Sequence, residues 1–262
     1  MSSRTIRLTL AYEGGQYSGW QRQKNQPTLQ ETLEQAVTRL TAAQTTVLAA
    51  GRTDAGVHAL GQVASFTTDS RLTAEEFTQA LNSLLPPDFR VLESREVKPD
   101  FHPRYQAEWK QYQYHLWAGK EPPLFMRRFV WPISRPLKNE LLWDGLEALR
   151  GRHDFAAFQS TGSDVANTVR TMRRADLTIS GSLHTFILEA DGFLRHMVRA
   201  VVGTLVQLTG PGQMAEIIES RDRSQAGRTA PAKGLFLAWI KYPDQGEPVS
   251  APGPFDPWDQ SG

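Results

Sequence analysis

Residues 50–66 read AGRTDAGVHALGQVASF, and no other stretch narrows the possible folds as much. Gly51 and Gly56 bracket Arg52, Thr53 and Asp54, so the backbone can turn tightly and let another molecule come close. The run joins two strand-like segments. A chain with charged side chains on a tight turn between strands is one in which a sheet presents chemistry on a loop. Asp54 is the centre of that loop. An aspartate in a glycine-rich turn more often bonds its own backbone than performs catalysis, so the motif has to be weighed with the rest of the chain.

The flanking sequence alternates strands with capped helices. Ile6, Leu8, Leu10 and Tyr12 alternate with Arg7, Thr9 and Ala11, the period of a half-buried strand. Residues 14–23, GGQYSGWQRQ, form a loop able to stack and hydrogen-bond. Thr28 with Glu31 predicts a capping box before a helix whose apolar face is Leu29, Leu33, Ala36, Val37 and Leu40. Thr73 with Glu76 repeats the pattern, with Leu72 and Phe77 as a hydrophobic staple, and Pro86 and Pro87 end that helix. Strands are predicted over 89–97 and 104–118. On the second, Lys110, Tyr112, Tyr114 and Leu116 share a face. Four prolines within 121–136 mark a domain link.

Beyond it the pattern repeats. A helix is predicted over 139–149, strands over 169–179 and 185–190, a helix over 193–208, a short helix over 213–219 and a last strand over 235–242. On the 193–208 helix Arg195 and Arg199 would lie on one face and could aim at one anion, and Gly203 would admit another backbone. The domains expected are therefore 1–120, 121–242 and a disordered tail, 243–262, rich in Pro, Gly and Asp. Two related α+β halves joined in one sheet are the expected architecture.

Composition restricts the chemistry. With 262 residues, 40% of them hydrophobic, the chain can bury a large core. It has no cysteine, which excludes disulfides and thiolate metal sites and, with the non-apolar start Met-Ser-Ser-Arg, points to a reducing cytoplasmic setting. No apolar run approaches membrane-spanning length. Net charge is +1, yet residues 243–262 hold four acidic residues and no Lys or Arg, which leaves the rest at +5. Basic residues cluster at Arg127–Arg128, at Arg170, Arg173 and Arg174, and at Arg221, Arg223 and Arg228, which suits a phosphate-rich partner. The six histidines lack ligand-like pairing, so His153 and Asp154 read as structural and no metal is expected.

A lone Asp54 can act as nucleophile or base only while ionised, and a ligand closing over it would raise its pKa, so it needs a cation. Arg52 is near in sequence and Arg199 could come from the second half; such a pair could equally be structural. Tyr112 could stack on a base or simply pack the core. No Walker-type loop or dinucleotide fingerprint is present. On the residues, a non-catalytic RNA-binding protein and a metal-dependent nuclease stay open beside an enzyme using Asp54.

The motifs also carry a resemblance. AGRTDAGVHA followed by GQVASF resembles the catalytic motif of the TruA family of tRNA pseudouridine synthases. YEGGQYSGWQRQ at 12–23, NSLLPPDFRV at 82–91, DFHPRYQAEWKQYQY at 100–114, GFLRHMVRAVVGTL at 192–205 and TAPAKGLFL at 229–237 resemble its other motifs in order. Glu13, Pro103 and Gln106 depart from the usual residues at peripheral positions. The resemblance implies a cofactor-free isomerase acting on uridines 38 to 40 of the tRNA anticodon stem-loop, working as a homodimer. It implies a pseudouridine synthase fold of two ferredoxin-like halves sharing a mostly antiparallel sheet, with a basic cleft. Residue by residue, Asp54 matches the catalytic aspartate, Arg199 the arginine that pairs with it, Tyr112 the tyrosine that stacks on the uracil, and Arg52 an arginine that helps displace the base.

Overall fold

Alternating apolar residues drive strand formation at both ends of the chain, and the capped amphipathic runs between them form helices against the resulting sheets. The computed structural model describes residues 3–160, 165 and 167–243. Its strands are β1 (Arg4–Tyr12), β2 (Leu48–Ala49), β3 (His58–Thr68), β4 (Phe89–Val97), β5 (Trp109–Ala118), β6 (Trp131–Ile133), β7 (Gly151–Asp154), β8 (Val169–Ser180), β9 (Leu183–Ala190) and β10 (Leu235–Lys241). Its α-helices are α1 (Leu29–Thr41), α2 (Ala74–Leu84), α3 (Asn139–Leu149), α4 (Met197–Leu205) and α5 (Gln213–Ser220). Both compact units of the chain are α+β, with mostly antiparallel strands, in keeping with the expected fold class.

One unit comprises the chain up to Glu108 together with the segment from Leu237. Its strand order is β4-β1-β3-β10, with β2 on β3. β1 is central and antiparallel to both neighbours, placing Leu8 opposite Ala64 and Ser94. Ile6, Leu8 and Leu10 are fully buried, and Leu33, Val37, Phe77 and Leu81 of the two helices join them in the core. The alternation of β1 predicts one wet face, but Arg7 is buried as well. Its guanidinium lies over the rings of Tyr242 (4.5 Å) and Phe101 (5.6 Å), so an aromatic cover replaces water around the cation.

The two predicted capping boxes part company. At α2, Thr73 accepts from the Glu76 N–H (3.2 Å) and Glu76 accepts from the Thr73 N–H (2.7 Å). At α1 the Thr28 side chain makes no cap. The first N–H groups of α1 donate instead to backbone carbonyls, Leu29 to Gly19 and Gln30 to Trp20, so the loop before the helix has already satisfied them.

The second unit spans Trp109–Phe236. Its strand order is β5-β9-β8-β7, all antiparallel, with β6 running parallel to β5. The unit boundary precedes β5, whereas proline content placed the link at 121–136. Pairing of Trp131 with Leu116, and the edge-on packing of the Trp131 and Tyr114 rings, tie the end of that proline-rich stretch back to β5. The strand predicted from 104 starts only at Trp109, because residues 101–106 turn. The helix predicted over 193–208 is shorter, α4 beginning at Met197 after His196 takes a left-handed φ of 61°. Arg195 therefore precedes the helix and does not share a helical face with Arg199. Of the tail expected to be disordered, residues 244–262 lie outside the described residues.

Candidate active site

The Asp54 loop is pinned on both sides within the first unit. Ala50 N–H donates to the Val63 carbonyl of β3 (2.9 Å), and Val57 N–H to the Asp54 carbonyl (3.1 Å), closing a turn at Ala55 and Gly56. Gly56 has a φ of 78°. Between these ends the backbone carbonyls are claimed: Trp20 N–H donates to Thr53 (3.0 Å), and the Gln62 amide to Gly51 (2.8 Å). The Thr53 hydroxyl is 2.8 Å from that of Tyr12, which also accepts from Gln62 (3.4 Å). Burial pushes the Tyr12 hydroxyl up to about 12, against the opposing pull of its bonds to Thr53 and Gln62, so it stays protonated.

A second brace comes from the 3₁₀ turn Gly14–Gln16. Gly14 N–H donates to His58 Nδ1 (3.2 Å), and a Cβ at Gly14 would fall 1.9 Å from the Val57 carbonyl oxygen, so only glycine fits there. Asp54 is consequently a half-buried carboxylate on a backbone that has little freedom left, and Arg52 beside it is exposed. Such a carboxylate can serve as base or nucleophile. His58 belongs to the motif itself, whereas the support from Gln62 is not singled out by the sequence; a polar residue inside the apolar run of β3 is the available signal.

Tyr112 and Arg199 belong to the second unit. Tyr112, opposite Leu188 of β9, is 9% exposed and meets Phe193 edge-on, centroids 5.0 Å apart. Phe193 was read from sequence as part of a helix; because α4 starts later, its ring is available to pack against Tyr112. Arg199 lies in the first turn of α4, half-buried. Its Nε donates to the Ala230 carbonyl (2.8 Å) and its own carbonyl accepts from Ala230 N–H (3.0 Å). The segment 228–230 reaches α4 through Gly203, where a Cβ would sit 1.7 Å from the Arg228 carbonyl oxygen, and the Thr204 hydroxyl accepts from Gly227 N–H (2.8 Å). Tyr114 of β5 donates to the Pro231 carbonyl (2.8 Å); burial raises its pKa while the Arg199 charge opposes the shift. The guanidinium thus has its orientation set by backbone.

The basic clusters are partly spent on the fold. Arg174 pairs with Asp176 (2.6 Å), Arg173 with Glu189 (3.4 Å), and Arg223 donates to the Gly227 carbonyl (3.0 Å). Arg127 and Arg128 are exposed. His153 Nε2 lies 2.7 Å from the Arg150 carbonyl, and Asp154 accepts from Ala156 N–H (3.2 Å), roles that hold the chain. Among the described residues no group of three or more His, Asp or Glu could hold a metal ion, and no helix is long and apolar enough to cross a membrane.

Comparison with known proteins identifies the family of the chain. A family model described as tRNA pseudouridine synthase matches residues 9–106 and 146–243. The chain is 42% identical over 244 residues to tRNA pseudouridine synthase A of Acetivibrio thermocellus, covering 91% of this chain and all of that one. It is 44% identical over 243 residues to tRNA pseudouridine synthase A of Moorella thermoacetica (90% and 99% covered) and 41% identical over 254 residues to that of Myxococcus xanthus (95% of each).

Proposed function

Given that the chain belongs to the tRNA pseudouridine synthase family, we propose that Asp54 is the catalytic residue with which it isomerises uridine to pseudouridine, at positions 38 to 40 of the tRNA anticodon stem-loop. The observation that carries this reading is the half-buried Asp54 carboxylate held on a loop braced by Tyr12, Trp20, Gln62 and His58.

The reaction breaks the bond between uracil N1 and the ribose and makes one from C5, so the C5 hydrogen leaves to solvent and N1 gains one. Atoms balance without a redox partner or nucleotide cofactor. A base paired in a stem is out of reach, so the uridine must be extruded, at a cost of about a few kcal/mol. Tyr112 receives the extruded uracil on its ring face, its edge contact with Phe193 leaving that orientation fixed. Arg199, its Nε held by the Ala230 carbonyl, is the cation that pairs with the catalytic aspartate during the reaction. Arg52, exposed beside Asp54, helps displace the base. The protein acts as a homodimer in the cytoplasm. Exposed Arg127 and Arg128 position the RNA through phosphates, which carry no sequence information and so suit an enzyme acting on adjacent uridines.

The test is tritium release from tRNA labelled at uracil C5. Asp54→Asn should lower the single-turnover rate by at least about 10³-fold while tRNA still binds. Unchanged release by that variant would remove Asp54 from the chemistry.

A further inference from the structure

The turn at 98–106 in the first unit carries an aromatic surface that neither the braced loop nor the core employs. Tyr105 is 76% exposed. Its ring lies 4.2 Å, centroid to centroid, from that of His102 at an interplanar angle of 37°, and the Arg104 guanidinium is 5.8 Å from its centroid. The turn beneath is anchored. The Tyr242 hydroxyl donates to the Pro103 carbonyl (2.6 Å), and Phe101 packs on the Tyr242 ring at 5.3 Å. His102 Nδ1 accepts from the N–H groups of Arg104 (3.1 Å) and Tyr105 (3.4 Å), and Gln106 donates from its backbone to the His102 carbonyl (3.2 Å) and from its amide to that of Asp100 (3.1 Å).

An exposed ring already held against an imidazole loses little freedom when a second flat group adds to the stack. Among the described residues of the first unit Tyr105 is the most exposed large hydrophobic side chain. A single π face with a guanidinium beside it matches a nucleobase and its phosphate, the combination used for unpaired nucleic acid. We propose that His102, Arg104 and Tyr105 form a stacking platform for an unpaired base of the tRNA, with Arg104 on the adjoining phosphate. This rests on tRNA being the substrate.

The experiment measures Kd and steady-state kinetics with the full chain and an unmodified tRNA transcript. Tyr105→Ala should raise Kd and KM roughly 10-fold and leave kcat at saturating tRNA unchanged, whereas Tyr105→Trp should stay within about 2-fold of the parent and Tyr105→Leu should resemble alanine. Arg104→Gln should reduce the slope of log Kd against log salt by about 1, and Tyr105→Ala should leave it alone. The proposal is overturned if Tyr105→Ala binds normally, if leucine serves as well as tryptophan, or if Tyr105→Ala changes the sedimentation of the free protein, which would mean the ring faces another copy of the chain. A parent enzyme that forms no pseudouridine would overturn the substrate reading itself, an outcome separate from any of these.

Discussion

His58 is 1% exposed, and its Nδ1 accepts the N–H of Gly14. A protonated imidazole donates from both nitrogens, so this bond exists only while Nδ1 carries no proton. The ring thereby ties the turn at Gly14 to the start of β3, four positions after Asp54, which limits how far the loop carrying the carboxylate can shift. Asparagine can place an oxygen where Nδ1 lies. His58→Ala is therefore expected to lower kcat by about 10 to 100-fold with little change in KM for tRNA, and His58→Asn to recover most of the loss. Equal kcat for the two variants, measured on samples with matching thermal unfolding, would show that the acceptor is not what matters. Asp54, Arg52, Thr53 and His58 could all be picked out of the sequence as one motif. That Gly14, 44 residues earlier, donates to His58 could not, because a hydrogen bond between distant segments leaves no periodicity.

The element that carries Arg199 is held by backbone contact with its neighbour. Gly203, one turn on from Arg199, faces the Arg228 carbonyl oxygen at a distance no Cβ could occupy, and the same segment supplies the Ala230 carbonyl to Arg199 Nε. Gly203→Ala should force the 228–230 segment off α4 and cost about 2–4 kcal/mol in denaturant unfolding, with a matching loss of pseudouridine formation. An unchanged unfolding midpoint would show that this segment moves at no cost. Elements with a strong local signature, β4 at Phe89–Val97 and α3 at Asn139–Leu149, coincide with the residues their patterns mark. α4 does not, since its first four expected residues continue the apolar spacing but His196 adopts a left-handed backbone, with its Nδ1 2.6 Å from the Ser160 hydroxyl. A tertiary tether there outweighs helix propensity, which is worth only about 0.7 kcal/mol per residue for ordinary side chains.

Across the whole molecule the charge balance is nearly even, +1 in 262 residues, because residues 244–262 contribute four carboxylates and no cation. A polyanionic substrate feels that difference at long range. Deleting residues 244–262 is expected to tighten tRNA binding at low salt and steepen its salt dependence, with the advantage vanishing as ionic strength rises and kcat at saturation unchanged. Equal affinities at low salt would show that those carboxylates do not act on the RNA. The sequence by itself determined the α+β class and most strand and helix positions, because short-range periodicity and capping chemistry are written in neighbouring residues, while the four residues proposed for chemistry stand out only through the resemblance of its motifs to those of the family. Only the tertiary structure decided that Thr28 would not cap its helix, that Arg195 would leave the face of Arg199, and that Tyr12, Gln62 and His58 would brace the Asp54 loop. In each case a group from a distant segment competes for the same hydrogen bond or the same space, and the winner depends on which segments the fold brings together.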